Sequence, residues 1–156
     1  MKIAIALAIT ALALPCAATA DTTSLNPCSL LSAKQVAAVH VDTGCKVLRG
    51  KPNPLYQGVT ATWGKLAGKG SVIVAVDQAK SDTWVTLFKS NMHIGTSWGI
   101  GDWSRGTCTT GGFYCYLNFV VGNNTVTLQV APPEAKRIPV TKATKTMAKT
   151  IAAKLS

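Results

Sequence analysis

The first apolar pattern is an unbroken run. Residues 3–14 read IAIALAITALAL, with Lys2 before them and Pro15 after. Twelve apolar residues fall short of the roughly 20 needed to cross a bilayer. One basic residue ahead of such a run, with Ala18-Thr19-Ala20 behind it, has the layout of a secretory signal peptide. Cleavage after Ala20 is expected, so residues 1–20 are an export signal and residues 21–156 a single domain. The alternative is a lipoprotein signal acylated at Cys16, for which Pro15 is a poor preceding residue. No transmembrane segment is expected in the mature chain.

Beyond residue 27 the apolar positions become periodic. Ser32-x-x-Gln35 is a capping-box signature. Leu31, Val36, Ala37 and Val39 fall on one side, which predicts a short helix within residues 30–40. Residues 41–48 read as a strand carrying Cys45, and residues 50–58, with two prolines, as a loop. Val59, Ala61 and Trp63 alternate with Thr60 and Thr62, the period of a strand. Residues 67–70 make a turn, and residues 72–76 are nearly all β-branched, a buried strand. Ser81-Asp82 can cap a helix with Trp84, Leu87 and Phe88 on one face. Residues 92–98 fit a strand or a loop equally, and the glycine-rich stretch 99–106 reads as a tight exposed connection.

The clearest hairpin joins residues 113–121 to 126–130. Leu117, Phe119 and Val121 share a face with Val126, Leu128 and Val130; setting 119 opposite 128 leaves Asn123-Asn124 as the turn. Residues 141–155 form a closing helix. Val140, Thr144, Met147, Ile151 and Leu155 make its apolar stripe, and Lys142, Lys145 and Lys149 lie opposite. The order helix, strands, helix, strands, helix predicts an α+β domain: a mainly antiparallel sheet with a short N-terminal, a middle and a C-terminal helix packed on it.

Composition narrows the class. With 47% hydrophobic and only 14% charged residues, neither a disordered chain nor a heptad rod is possible. Of five cysteines, four remain after export: Cys28, Cys45, Cys108 and Cys115. Proximity favours the disulfides Cys28–Cys45 and Cys108–Cys115 among three connectivities. A two-residue Gly111-Gly112 turn would set Cys108 opposite Cys115, about 5.5 Å apart at Cα in a hydrogen-bonded pair. The Cys-x16-Cys and Cys-x6-Cys spacings suit zinc poorly, and an oxidising compartment favours disulfides.

The run Asn26-Pro27-Cys28-Ser29-Leu30-Leu31-Ser32, continuing through Ala33-Lys34-Gln35-Val36-Ala37, resembles the opening of a family of small exported bacterial proteins and lipoproteins of unknown function. These begin with Pro-Cys-x-Leu-Leu before a short helix and often carry a second cysteine downstream, where Cys45 stands. Gly99-Ile100-Gly101-Asp102 is similar to a turn found midway in such proteins. The resemblance implies the α/β/α sandwich of PsbP, an extrinsic photosystem subunit, and implies export. It implies no activity. Cys108 and Cys115 are not part of the family pattern.

Little in the chain points to catalysis. Gly95-Thr96-Ser97-Trp98-Gly99 matches G-x-S-x-G, but no histidine follows Ser97, as a nucleophile elbow requires. His40 and His93 stand far apart and form no ligand cluster, so no metal is expected. Six acids are scattered, and only Asp102, between Trp98 and Trp103, attracts attention; a turn residue is its simpler reading. The segment around Gly99 fails the dinucleotide fingerprint at Ser104. No cofactor and no enzymatic activity are expected.

Charge is the strongest functional sign. The chain carries 16 basic against 6 acidic residues, a net +10. Its last 25 residues hold Lys136, Arg137, Lys142, Lys145, Lys149 and Lys154 against Glu134 alone. A positive stripe of this kind attracts polyanions, and the plain alternative is a solvated face that maintains solubility. No strand interleaves aromatic and basic residues as a nucleic-acid platform does, so nucleic acid is not expected. The expected function is a periplasmic or secreted binding or accessory protein contacting anionic envelope polymer or lipid headgroups, with Lys136, Arg137, Lys142, Lys145 and Lys149 as candidate contacts. The alternative is a protein-partner module, such as an inhibitor or immunity protein of a secreted enzyme, using Trp98, Asp102 and Trp103. A small hydrolase around Asp102 or Ser97 comes third.

Overall fold

The computed structural model describes residues 25–51, 53–65 and 68–156. The expected signal peptide, its cleavage site and Cys16 lie outside the described residues. Six strands form one antiparallel sheet: β1 (Cys45–Arg49), β2 (Tyr56–Gly64), β3 (Ser71–Ala79), β4 (Trp103–Cys108), β5 (Cys115–Val121) and β6 (Asn124–Ala131). Their spatial order is β1-β2-β3-β6-β5-β4. Among the described residues three α-helices accompany them: α1 (Ala33–Ala37), α2 (Asp82–Asn91) and α3 (Thr141–Leu155). This is the α+β class with helices packed on a sheet that the order of patterns predicts.

Strand alternation places the core on one face. Val59, Val76, Val126 and Phe119 stand opposite one another across β2, β3, β6 and β5. Ala61, Val74, Leu128 and Leu117 make the next row, and Trp63, Val72, Val130 and Cys115 the third. All twelve are buried. Helix α3 closes this face with Val140, Met147, Ala148 and Ile151, and α1 adds Val36. Each such large side chain contributes roughly 1.5–3 kcal/mol by leaving water, so this layer carries most of the stability. The other face is more polar. Helix α2 covers part of it: Trp84 stacks on Tyr56 with centroids 4.0 Å apart, and Phe88 meets the edge of Trp103 at 6.2 Å. The Trp84 indole donates to Thr125 Oγ1 at 3.0 Å.

The Pro-Cys-x-Leu-Leu segment has a clear physical role. Asn26 Oδ1 accepts from the Cys28 amide, and Pro27–Ser29 forms a single 3-10 turn. That turn drives Leu30 and Leu31 into the core. Ser32 and Gln35 then cap α1 reciprocally, as the sequence predicts. The helix lies within the predicted 30–40 and ends at Ala37; His40 then takes a positive φ of 59° and redirects the chain. Asp42 Oδ1 accepts from the Gly44 amide at 2.9 Å, a local turn that delays β1 to residue 45. On β1, Val47 and Leu48 are exposed between Lys46 and Arg49, charges that discourage edge-to-edge pairing.

Several local expectations are corrected. Residues 56–58 belong to β2 rather than to a loop, since Tyr56 pairs with Ala79 and Gly58 with Asp77. Residues 103–106 are not an exposed connection; they pair with β5 as part of β4. Leu87 is exposed on α2, where Phe88 takes the buried position. In the β5–β6 hairpin Phe119 faces Val126, not Leu128, and the turn is Gly122-Asn123. The two-residue offset leaves every side chain on the expected face, because strands repeat every two residues. It also puts Gly122, at φ 54°, in the first central position of the turn, where positive φ is needed.

The β4–β5 hairpin keeps the expected register and differs in its turn. Cys108 does face Cys115, and the two are disulfide-bonded, but their Cα atoms are 4.1 Å apart rather than about 5.5 Å. Thr109 N–H donates to Tyr114 O, which makes 109/114 the hydrogen-bonded pair and 108/115 the narrower non-bonded one. The connection is a 3-10 turn at Thr110–Gly112 rather than a two-residue turn, and the Tyr114 amide turns to Thr109 Oγ1. Cys28 is bonded to Cys45, tying the N-terminal turn to the β1 edge.

Candidate functional site

Helix α3 presents its lysines as its stripe requires. Thr144, Met147, Ala148 and Ile151 are buried, and this turns Lys142, Lys145 and Lys149 to solvent. Over seven residues these ammonium groups span roughly 10 Å of helix. None has an ion-pair partner among the described residues. Lys154 is different: its ammonium donates to Ser29 O at 2.6 Å and anchors the helix end to the N-terminal turn. The first turn of α3 contains Lys142, no acidic residue and no side-chain cap. That arrangement opposes the helix dipole, which favours negative charge there. The positive end of the dipole therefore adds to the lysines instead of being neutralised.

Lys136 and Arg137 sit one segment earlier. Arg137 Nη2 lies 4.0 Å from Glu134 Oε1, and both side chains are largely exposed, so the pair is weak. Arg137 also lines a cleft of about 440 Å³ with Lys65, Thr109, Phe113, Tyr114 and Glu134. Three loops meet there. The Glu134 amide donates to Gly68 O at 3.1 Å, and a Cβ on Gly70 would lie 2.7 Å from the Pro133 nitrogen, so the chain needs glycine at that approach. The Val140 amide donates to Gly112 O at 2.7 Å, which ties the start of α3 to the hairpin whose tip forms the cleft wall. The Tyr114 phenol is pushed up by burial, then by the neighbouring Tyr116. Two cations, the Glu134 carboxylate, threonine hydroxyls and two half-exposed aromatic rings line it, which leaves the cleft with one positive charge in excess. Lys65, Phe113 and Tyr114 carry no sequence signal for this role, because the cleft exists only where separate loops converge.

The remaining candidates are used within the fold. Asp102 Oδ2 accepts from the Gly122 amide at 2.7 Å and holds the β5–β6 turn. It does not bond its own segment, as a simple turn residue would. Trp98 packs beside the core on the α3 side, whereas Trp103 meets Phe88 of α2 on the opposite face. The two tryptophans therefore do not form one exposed patch. Ser97 follows the isolated bridge between Thr96 and Gly106 and leads into β4, not into the helix of a nucleophile elbow. His93 Nδ1 lies 2.7 Å from Ser90 O. Among the described residues no group of three or more potential ligands can hold a metal ion, and no helix is long and apolar enough to cross a membrane.

Asp77 is a residue that sequence patterns do not single out. It lies on the α2 face of β3, opposite Gly58 and Thr125. A Cβ on Gly58 would sit 2.5 Å from Asp77 Oδ1, so glycine leaves room for the carboxylate. Burial pushes its pKa from 3.8 to about 6. A raised carboxyl pKa stabilises the fold below the unfolded value and loses that contribution as pH rises through the folded one. Asp77→Asn is therefore expected to raise Tm at pH 8, with the gain shrinking between pH 6 and pH 4 and vanishing below. Thermal melts of both proteins across that range check it; a gain independent of pH would remove desolvation as the cause.

No protein-family model, curated protein or solved structure matches this chain.

Proposed function

We propose that this protein is an exported, non-catalytic binding or accessory protein that contacts anionic envelope polymer or lipid headgroups. The observation that carries this reading is the unpaired, solvent-facing row Lys142, Lys145 and Lys149 on α3, which begins in the first turn of the helix with Lys142. The cleft holding Lys65 and Arg137 extends it beyond the helix. Two disulfides suit an oxidising compartment, and the Pro27-Cys28-x-Leu30-Leu31 resemblance supports export. A protein-partner role through Trp98 and Trp103 has less support, since the rings face opposite sides of the sheet.

The test is sedimentation of oxidised protein with vesicles of phosphatidylglycerol in phosphatidylcholine, against phosphatidylcholine alone. Binding only to the anionic vesicles, released by salt, is expected. Lys142→Glu separates a functional charge from a structural one. It is expected to raise stability by about 0.5 kcal/mol through the helix dipole while weakening vesicle binding. Binding that is equal on both vesicles would overturn the reading.

A further inference from the structure

An apolar groove runs between α1 and α3 beside the lysine row. It has a volume of about 350 Å³ and is walled by Ala38, Ile138, Pro139, Ala143 and Met147, with Lys142 on its wall. Gln35 and Thr146 also line it, but both are engaged elsewhere. Gln35 Nε2 donates to Thr150 Oγ1 and its Oε1 accepts from Ser32, while Thr146 Oγ1 donates to Lys142 O. The groove thus offers a guest hydrocarbon walls and one ammonium group. No carboxylate lines it.

We propose that this groove takes the acyl chain of an anionic lipid whose headgroup lies on Lys142 and Lys145. The headgroup half of this inference rests on the reading of α3 as an anion-binding face; the chain half rests on the groove. Charge complementarity selects the guest. An apolar slot that opens beside unpaired lysines matches a molecule with a hydrocarbon tail and a negative head, and mismatches a neutral or cationic one. Size points the same way: about 350 Å³ is at the small-ligand end of binding cavities. Each methylene that leaves water for such walls tightens binding about fourfold.

The test uses n-alkyl phosphates from hexyl to decyl below their micelle concentrations, with soluble polyphosphate as the chainless probe. Affinity is expected to rise about fourfold for each methylene buried, until the groove is full. Ala38→Phe, at an exposed wall position, is expected to weaken decyl phosphate at least tenfold and leave polyphosphate unchanged. Thr146→Phe fills the groove from the other helix and guards against a folding defect in the first variant. Lys142→Gln should weaken both probes. Affinity independent of chain length, or decyl phosphate unaffected by both fillings, overturns the groove assignment. Polyphosphate binding that persists in that case leaves the basic face standing. Absent polyphosphate binding with intact chain-length dependence removes the basic-face reading and leaves the groove.

Discussion

Replacing Lys142, Lys145 and Lys149 together by glutamine is expected to weaken binding to an anionic surface about 100-fold. Each lysine near a negatively charged membrane contributes about 1 kcal/mol, and about 1.4 kcal/mol is a factor of ten. The salt dependence of binding should flatten in the same variant, because fewer counterions are released. The fold should be retained, with at most a slight gain in stability as a cation leaves the positive end of the helix dipole. All three side chains are exposed, glutamine and lysine have nearly equal helix propensity, and the stripe of Thr144, Met147 and Ile151 that docks α3 is unchanged. Vesicle sedimentation at several salt concentrations, beside thermal melts, gives both readouts. Retention equal to wild type would move the anion site off the helix, and Lys65 and Arg137 in the cleft would be the next pair to change.

Removing the Cys28–Cys45 disulfide by paired serine substitution is expected to cost about 3 kcal/mol. The bond closes a segment with a sequence separation of 17, and loops of that length lose about this much constraint when opened. In a domain of this size that corresponds to a Tm lower by about 10 °C. Position reinforces the effect. β1 is an edge strand paired only with β2, and the disulfide fastens its start to the turn at Pro27–Ser29, which the buried Pro27 anchors. α1 stands between the two cysteines, so the groove wall should loosen as well, and decyl phosphate affinity should fall with stability. Urea melts of the oxidised variant against wild type measure the difference. A change below about 1 kcal/mol would show that core packing alone holds the N-terminal turn.

Helix α3 shows how much was legible beforehand. Its boundaries, buried stripe and lysine face all follow from a 3.6-residue period over fifteen residues. The capping box at Ser32 and Gln35 was equally readable, since it depends on atoms three residues apart. The hairpin register was not. Apolar alternation sets which side chains share a face, but registers differing by two residues satisfy it equally. Gly122 and the Asp102 clamp then choose between them, and Asp102 lies twenty residues away. Residues 103–106 misled for a related reason. The glycine-rich stretch 99–106 suggests a turn, yet Gly106 is a paired β4 residue opposite Leu117, and glycine stands there because a side chain would strike Leu117 and the Tyr116 carbonyl.

By itself, then, the amino-acid order determined the α+β class, the buried faces of β2, β3, β5 and β6 and the positive face of α3, and it favoured the disulfide pairing that is observed. These rest on short-range causes: side-chain period, capping chemistry and cysteine proximity. Tertiary structure alone decided the β5–β6 register, the Lys65–Arg137 cleft, the groove between α1 and α3 and the desolvated surroundings of Asp77. Each of those depends on residues distant in the chain meeting in space, and no local period records such a meeting.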